Sequence, residues 1–252
     1  MNEAVEMIDL ETRDGTCPAY VFRPEGSGPW PAVLVFMDGI GIRPAMLAVG
    51  ERLATLGVLA LMPDVFYRSG PYAPMDAKTV FADPEQRRVL MEKFFALATT
   101  PNVMSDVETF LAHLAGRADV RPGKVAVTGY CLGGFLALNA AGTYADRIAV
   151  AASFHGGRLA TDAPDSPHRL AATMRTKVYV AGAIDDASFP DAMKDRLEAA
   201  LTDAAVDHRV ETYPARHGWV LTDTLAYDAD AAERHWTTLA ALLREAFGDA
   251  QG

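Results

Sequence analysis

Cysteine is scarce: only Cys17 and Cys131 occur in 252 residues, so no disulfide framework can hold the fold together. A reducing, cytoplasmic setting is the natural expectation, and it keeps a reactive thiol free. Basic residues are in deficit, 23 against 33 acidic ones. The resulting formal net charge of -10 disfavours nucleic acid and anionic lipid as partners. An anionic substrate would need arginines placed beside its site. Long apolar runs are missing too, because Asp, Glu, Lys or Arg interrupts every hydrophobic segment, so no membrane span is expected. The start, Met1-Asn2-Glu3-Ala4-Val5-Glu6, lacks the basic stretch and apolar run of a signal peptide. Repeats and low-complexity linkers are absent as well.

Apolar residues, in contrast, make up 50% of the chain, enough for one large core. Residues 1–252 therefore read as a single α/β domain rather than two small ones. Val5–Leu10 and Ala19–Phe22 form a hairpin pattern around Arg13-Asp14-Gly15. Ala32–Phe36 is a continuous apolar run, the mark of a strand covered on both faces. A helix from Pro44 to Leu56, a buried strand at Val58–Met62 and a loop from Val65 to Phe81 follow. Helices are expected at Pro84–Leu97 and Val103–Leu114, a strand at Lys124–Thr128 and a helix at Gly133–Gly142. Strands at Ile148–Phe154 and Lys177–Ala183 enclose a helical turn. Helix Pro190–Ala204, strand Arg209–Tyr213 and helix Ala229–Phe247 close the chain. This alternation predicts a mostly parallel sheet with helices on both faces, preceded by an antiparallel hairpin. Ligands of such sheets bind beyond the carboxyl ends of the strands, here just after Phe36, Met62, Thr128, Phe154, Ala183 and Tyr213.

The segment Gly129-Tyr130-Cys131-Leu132-Gly133-Gly134 runs from strand through a sharp turn into a helix. That is the context of a G-x-S-x-G nucleophile elbow with Cys in place of Ser. A residue held in so tight a turn leaves no room for side chains two positions away, and Gly129 and Gly133 meet that demand. The turn also sets the sulfur at a helix N-terminus, where the dipole favours negative charge. Cys17, on the hairpin, reads instead as a small buried hydrophobe.

In this kind of fold the nucleophile is followed by an acid and then a histidine. His217, in Arg216-His217-Gly218-Trp219, lies just past the last strand, and Gly218 leaves its ring room to turn. His113, His168, His208 and His235 read as surface or packing residues. His155 follows a strand end and is a candidate pocket residue, as are Tyr130 beside Cys131 and Trp219 near His217. The acid falls after Lys177–Ala183, at Asp185 or Asp186; Asp186 is preferred, within the pattern Asp-x-x-x-Pro ending at Pro190. Two backbone donors are needed for an oxyanion. Leu132 N–H, after the nucleophile, and Gly39 N–H, in the turn after Ala32–Phe36, are the candidates. Asp38 reads equally well as a turn residue bonded to backbone amides or as a group that contacts the resting thiol.

These residues resemble the dienelactone hydrolase family, of α/β-hydrolase fold. Gly129–Gly134 matches its elbow, and Met37-Asp38-Gly39, Leu61–Arg68 and Arg216-His217-Gly218 match it in order across almost the whole chain. The resemblance implies a Cys131–His217–Asp186 triad without metal or cofactor. It implies a small lactone or ester substrate, cleaved through a thioester on sulfur. In the best-known members a glutamate modulates the thiol, and here that position is Asp38. Two arginines hold the anionic lactone in those members. Arg87 or Arg88 fits one, while the other position, four residues after the histidine, is Leu221. A monomer or small homo-oligomer is expected.

Overall fold

The computed structural model describes residues 5–248, so the four N-terminal residues on which the leader reading partly rests lie outside it. Eight strands form one sheet: β1 (Val5–Thr12), β2 (Gly15–Phe22), β3 (Ala32–Phe36), β4 (Leu59–Pro63), β5 (Val125–Tyr130), β6 (Ile148–Phe154), β7 (Lys177–Gly182) and β8 (His208–Thr212). Their spatial order is β1-β2-β4-β3-β5-β6-β7-β8. The hairpin β1–β2 pairs antiparallel, β2 runs antiparallel to β4, and all pairings from β4 to β8 are parallel. Every residue of β3, β4 and β5 is buried, as continuous apolar runs between two helical layers demand.

Six α-helices join them: α1 (Pro44–Thr55), α2 (Pro84–Val89), α3 (Thr100–Gly116), α4 (Leu132–Thr143), α5 (Asp191–Asp203) and α6 (Ala229–Phe247). Helices α1 and α6 share one face of the sheet, where Arg52 pairs with Glu233 and its guanidinium lies 4.6 Å over the Trp236 ring. Helices α3 and α4 pack together on the other face. Two local details depart from the sequence reading. The helix from Pro84 does not stay regular to Leu97: from Leu90 to Phe95 it widens into a π-helix. Helix α3 begins three residues early because the Thr99 hydroxyl accepts from Asn102 N–H and Pro101 fits the first turn. Within the Val65–Phe81 loop, Tyr67–Ser69 forms one 3-10 turn.

Candidate active site

The elbow is where the sequence placed it. Cys131, between β5 and α4, has φ +54° and ψ −114°, a strained conformation for a residue with a Cβ, costing about 1–3 kcal/mol. The strain persists because the surroundings dictate it. A Cβ on Gly129 would lie 2.0 Å from the Gly133 carbonyl oxygen, and one on Gly133 would lie 2.3 Å from that of Phe36. Backbone meets backbone at both points, so α4 starts hard against the ends of β3 and β5. Cys131 stays partly exposed.

His217 and Asp186 converge on this turn from the ends of β8 and β7. His217 Nδ1–H donates to Asp186 Oδ2 at 2.8 Å. Asp186 is itself fixed, since its other oxygen accepts from Ser188 N–H at 2.8 Å and from Ser188 Oγ at 2.6 Å. Asp185 is exposed, with φ +51°, and turns the chain so that its neighbour faces the ring. Burial alone would lower the His217 pKa. Attraction to the Cys131 sulfur and the Asp186 hydrogen bond outweigh it and raise the value from 6.5 to about 10. Burial would likewise raise Asp186, yet the bonds from His217 and Ser188 hold it down at about 2. The ring lies between a carboxylate and a sulfur, both of which favour its protonated form.

Gly39, in the turn after β3, lies close to Leu132 at the start of α4. The Cβ direction of Gly39 points within 3.8 Å of Leu132 Cβ. Leu132 N–H belongs to the first helical turn, which leaves its donors without internal acceptors. Gly39 N–H has no acceptor among the described residues. Phe95, from the π-helical stretch, stands over Gly39, its ring 2.8 Å from where a Cβ would be.

Several expected pocket residues lie elsewhere. Tyr130 is fully buried; as the neighbour of Cys131 at a strand end it points away, and its hydroxyl pairs with His235 Nε2 at 3.1 Å. Trp219 is fully buried, stacked on Tyr213 with centroids 5.2 Å apart. His155 is fully buried with its ring 5.1 Å from that of His217 and 4.9 Å from Trp219, and burial drives its pKa well down. Arg88 is turned to its own helix face, bound to Glu85 and Glu92. Arg87 is exposed on α2 and has no carboxylate partner among the described residues. Leu221 is 1% exposed.

Asp38 has company that the sequence did not announce. Its Oδ1 accepts from Ile40 N–H at 2.9 Å, the turn bond expected of it. Arg43 then grips both its oxygens, at 2.7 and 2.9 Å, and also both oxygens of Asp223. Arg43 and Asp223 were missed. The available signal was that a carboxylate in the apolar stretch Met37–Ile42 needs a cation, and Arg43 is the next residue. Among the described residues no group of three or more His, Cys, Asp or Glu is placed to hold a metal. No helix among them is long and apolar enough to cross a membrane.

Sheet order, elbow, and the acid and histidine at the following strand ends define an α/β-hydrolase fold. The chain belongs to the dienelactone hydrolase family, whose model matches residues 17–247, and is accordingly a hydrolase acting on ester bonds. It is similar to a provisionally named carboxymethylenebutenolidase of Synechocystis sp., 26% identical over 245 residues that cover 91% of this chain and 94% of the relative. Among solved structures it resembles a provisionally named dienelactone hydrolase from Klebsiella pneumoniae, with TM-score 0.83, 21% identity and 96% and 98% of the two chains covered. It also resembles a dienelactone hydrolase-like promiscuous phosphotriesterase from metagenomic libraries, with TM-score 0.75, 26% identity and coverage of 97% and 100%.

Proposed function

We propose that the chain hydrolyses enol lactones and activated esters through an acyl thioester on Cys131. The reading rests on one observation: His217 sits with Asp186 on one ring nitrogen and the elbow sulfur close enough to raise its pKa. In the first step the sulfur bonds to the carbonyl carbon, and the oxygen, now negative, takes the N–H groups of Leu132 and Gly39. The adduct collapses, the carbon–oxygen ester bond breaks, and the His217 proton passes to the leaving oxygen. His217, now neutral, takes a proton from water, whose oxygen attacks the thioester and returns sulfur as thiolate. Asp186 keeps the Nδ1 tautomer throughout.

The sulfur also sets the substrate range. A tetrahedral adduct expels thiolate more readily than an ordinary alkoxide, so alkyl esters should react poorly. Enol and aryl oxygens leave well. Cys131→Ala should abolish turnover of an enol lactone or an aryl ester in a steady-state assay; undiminished turnover would end this reading.

Within that class a neutral acyl group is favoured over a carboxylate-bearing one. Leu221 stands at the position of one substrate arginine, and Arg88 spends its charge on Glu85 and Glu92. A panel of dienelactone, aryl esters and acyl thioesters distinguishes the two, since a kcat/KM highest for the anionic lactone would overturn the neutral preference.

A further inference from the structure

Arg43 is 3% exposed in a region where two carboxylates already crowd one guanidinium. Its five N–H groups match five acceptor contacts. Nε donates to Asp223 Oδ2 at 2.6 Å, and the two terminal nitrogens donate to Asp38 Oδ1 (2.7 Å), Gly41 O (3.1 Å), Asp38 Oδ2 (2.9 Å) and Asp223 Oδ1 (3.1 Å). No donor remains for a substrate. The residue before Pro44 is restricted to extended backbone, and Arg43 at φ −158°, ψ 171° obeys. Its side chain is thereby aimed back across the turn it has just left.

Both ends of this clamp are stiff. On one side Asp38 closes the turn onto Ile40 N–H, next to Gly39. On the other, Thr224 Oγ1 donates to Gly218 O at 2.9 Å and to Leu221 O at 3.0 Å, and Asp228 N–H reaches back to Trp219 O. A pull on Asp223 is therefore felt at Gly218, one residue from the base. The clamp bridges the loop of the oxyanion donor and the loop of the base, two parts that must share one geometry for chemistry.

Resting on the hydrolytic reading above, we propose that Arg43 is a positioning residue: through Asp38 and Asp223 it fixes Gly39 and His217 relative to Cys131. It acts through these loops and touches no reacting atom. A lysine cannot replace it, because one ammonium cannot serve two carboxylates side-on.

The test compares Arg43→Lys and Asp223→Asn with Arg68→Lys. Arg68, its side chain 7% exposed, likewise grips two carboxylates, Asp14 and Asp106, on the hairpin flank. Each variant is assayed for kcat and KM on a neutral aryl ester, for the rate of Cys131 alkylation by iodoacetamide, and for thermal melting. Arg43→Lys should lower kcat on the order of 10- to 100-fold with KM within about threefold, and slow alkylation in parallel. Asp223→Asn, at a half-exposed position, should move both readouts the same way. The double variant should be no worse than Arg43→Lys alone, because both break one device. Arg68→Lys should lower the melting temperature and leave kcat within about twofold. The proposal is overturned if Asp223→Asn keeps wild-type kcat and alkylation. A fall in Arg43→Lys no larger than that of Arg68→Lys at similar melting loss also overturns it. Failure of the hydrolytic reading shows separately, as full turnover by Cys131→Ala; the alkylation rates still test the clamp.

Discussion

Two flanks of the same sheet carry the same parts and put them to different ends. On the hairpin flank stand Cys17, Arg68 and the carboxylates Asp14, Asp64 and Asp106; at the elbow stand Cys131, buried Arg43 and Asp38, Asp186 and Asp223. Cys17 lies in regular strand β2, fully buried, its thiol shared between the Pro18 and Asp64 carbonyls at 3.5 Å. Burial pushes that thiol well up, and the nearby charges of Asp64 and Asp106 push it further. Cys131 has a strained backbone, a partly exposed side chain and His217, whose pKa is raised, for a neighbour. Residue type is held constant between the flanks, so a difference in reactivity would have to come from backbone conformation and from the nearest charges.

The most severe way to break this comparison is to fill the elbow. Gly129→Ala drives a methyl to 2.0 Å from a backbone oxygen that no side-chain rotation can move. A loss of about 3 kcal/mol or more, or no soluble protein, is expected in chemical denaturation. Gly15→Ala, at the hairpin turn, meets nothing within 4 Å and suffers only its φ of +133°, an effect of about 1–2 kcal/mol. Similar losses at both sites would mean that the elbow is not the tighter structure. Next in size is thiol selectivity. Iodoacetamide near neutral pH should label Cys131 on the order of 100-fold faster than Cys17, read by peptide mass spectrometry. Equal rates would erase the distinction between the flanks.

What could be read from sequence was what short-range chemistry dictates. The bounds of β3, β6 and α6 follow from apolar runs and periodicity, and the elbow follows from glycines at two-residue spacing. His217 and Asp186 were legible because the fold fixes where strand ends point. Arg43 and Asp223 were not, for they lie 180 positions apart and only the closed sheet brings them together. Tyr130 and Trp219 misled in the opposite sense. Tyr130 ends a strand next to Cys131, and its ring is drawn into the core, where its hydroxyl meets His235; Trp219 lies in the turn after His217 and is buried against Tyr213, a packing that chain proximity alone does not reveal. The π-helical stretch at Leu90–Phe95 carries no sequence mark that separates it from ordinary helix, yet it sets Phe95 over Gly39.

The smallest effect sharpens the comparison through acid. Asp186 and Asp14 are both held down at about 2 from an ordinary 3.8, one beside His217, the other beside Arg13 and Arg68. A depressed carboxylate stabilises the fold above its unfolded value, and that contribution fades as pH falls from 3.8 toward 2. His217 adds no slope there, because a ring with an ordinary value of 6.5, raised to about 10, is protonated in folded and unfolded chains alike below pH 5. The Asp186 side chain is only 4% exposed, so Asp186→Asn should cost about 2 kcal/mol at pH 5 and almost nothing at pH 2. Asp14 faces water, and its ion pairs are screened; Asp14→Asn should act in the same direction, more weakly, and its effect should shrink as salt is raised from 0.1 M to about 1 M. If the two substitutions responded to salt alike, the Asp186 carboxylate would be no better shielded than a surface ion pair, and the contrast between the flanks would not extend to their acids.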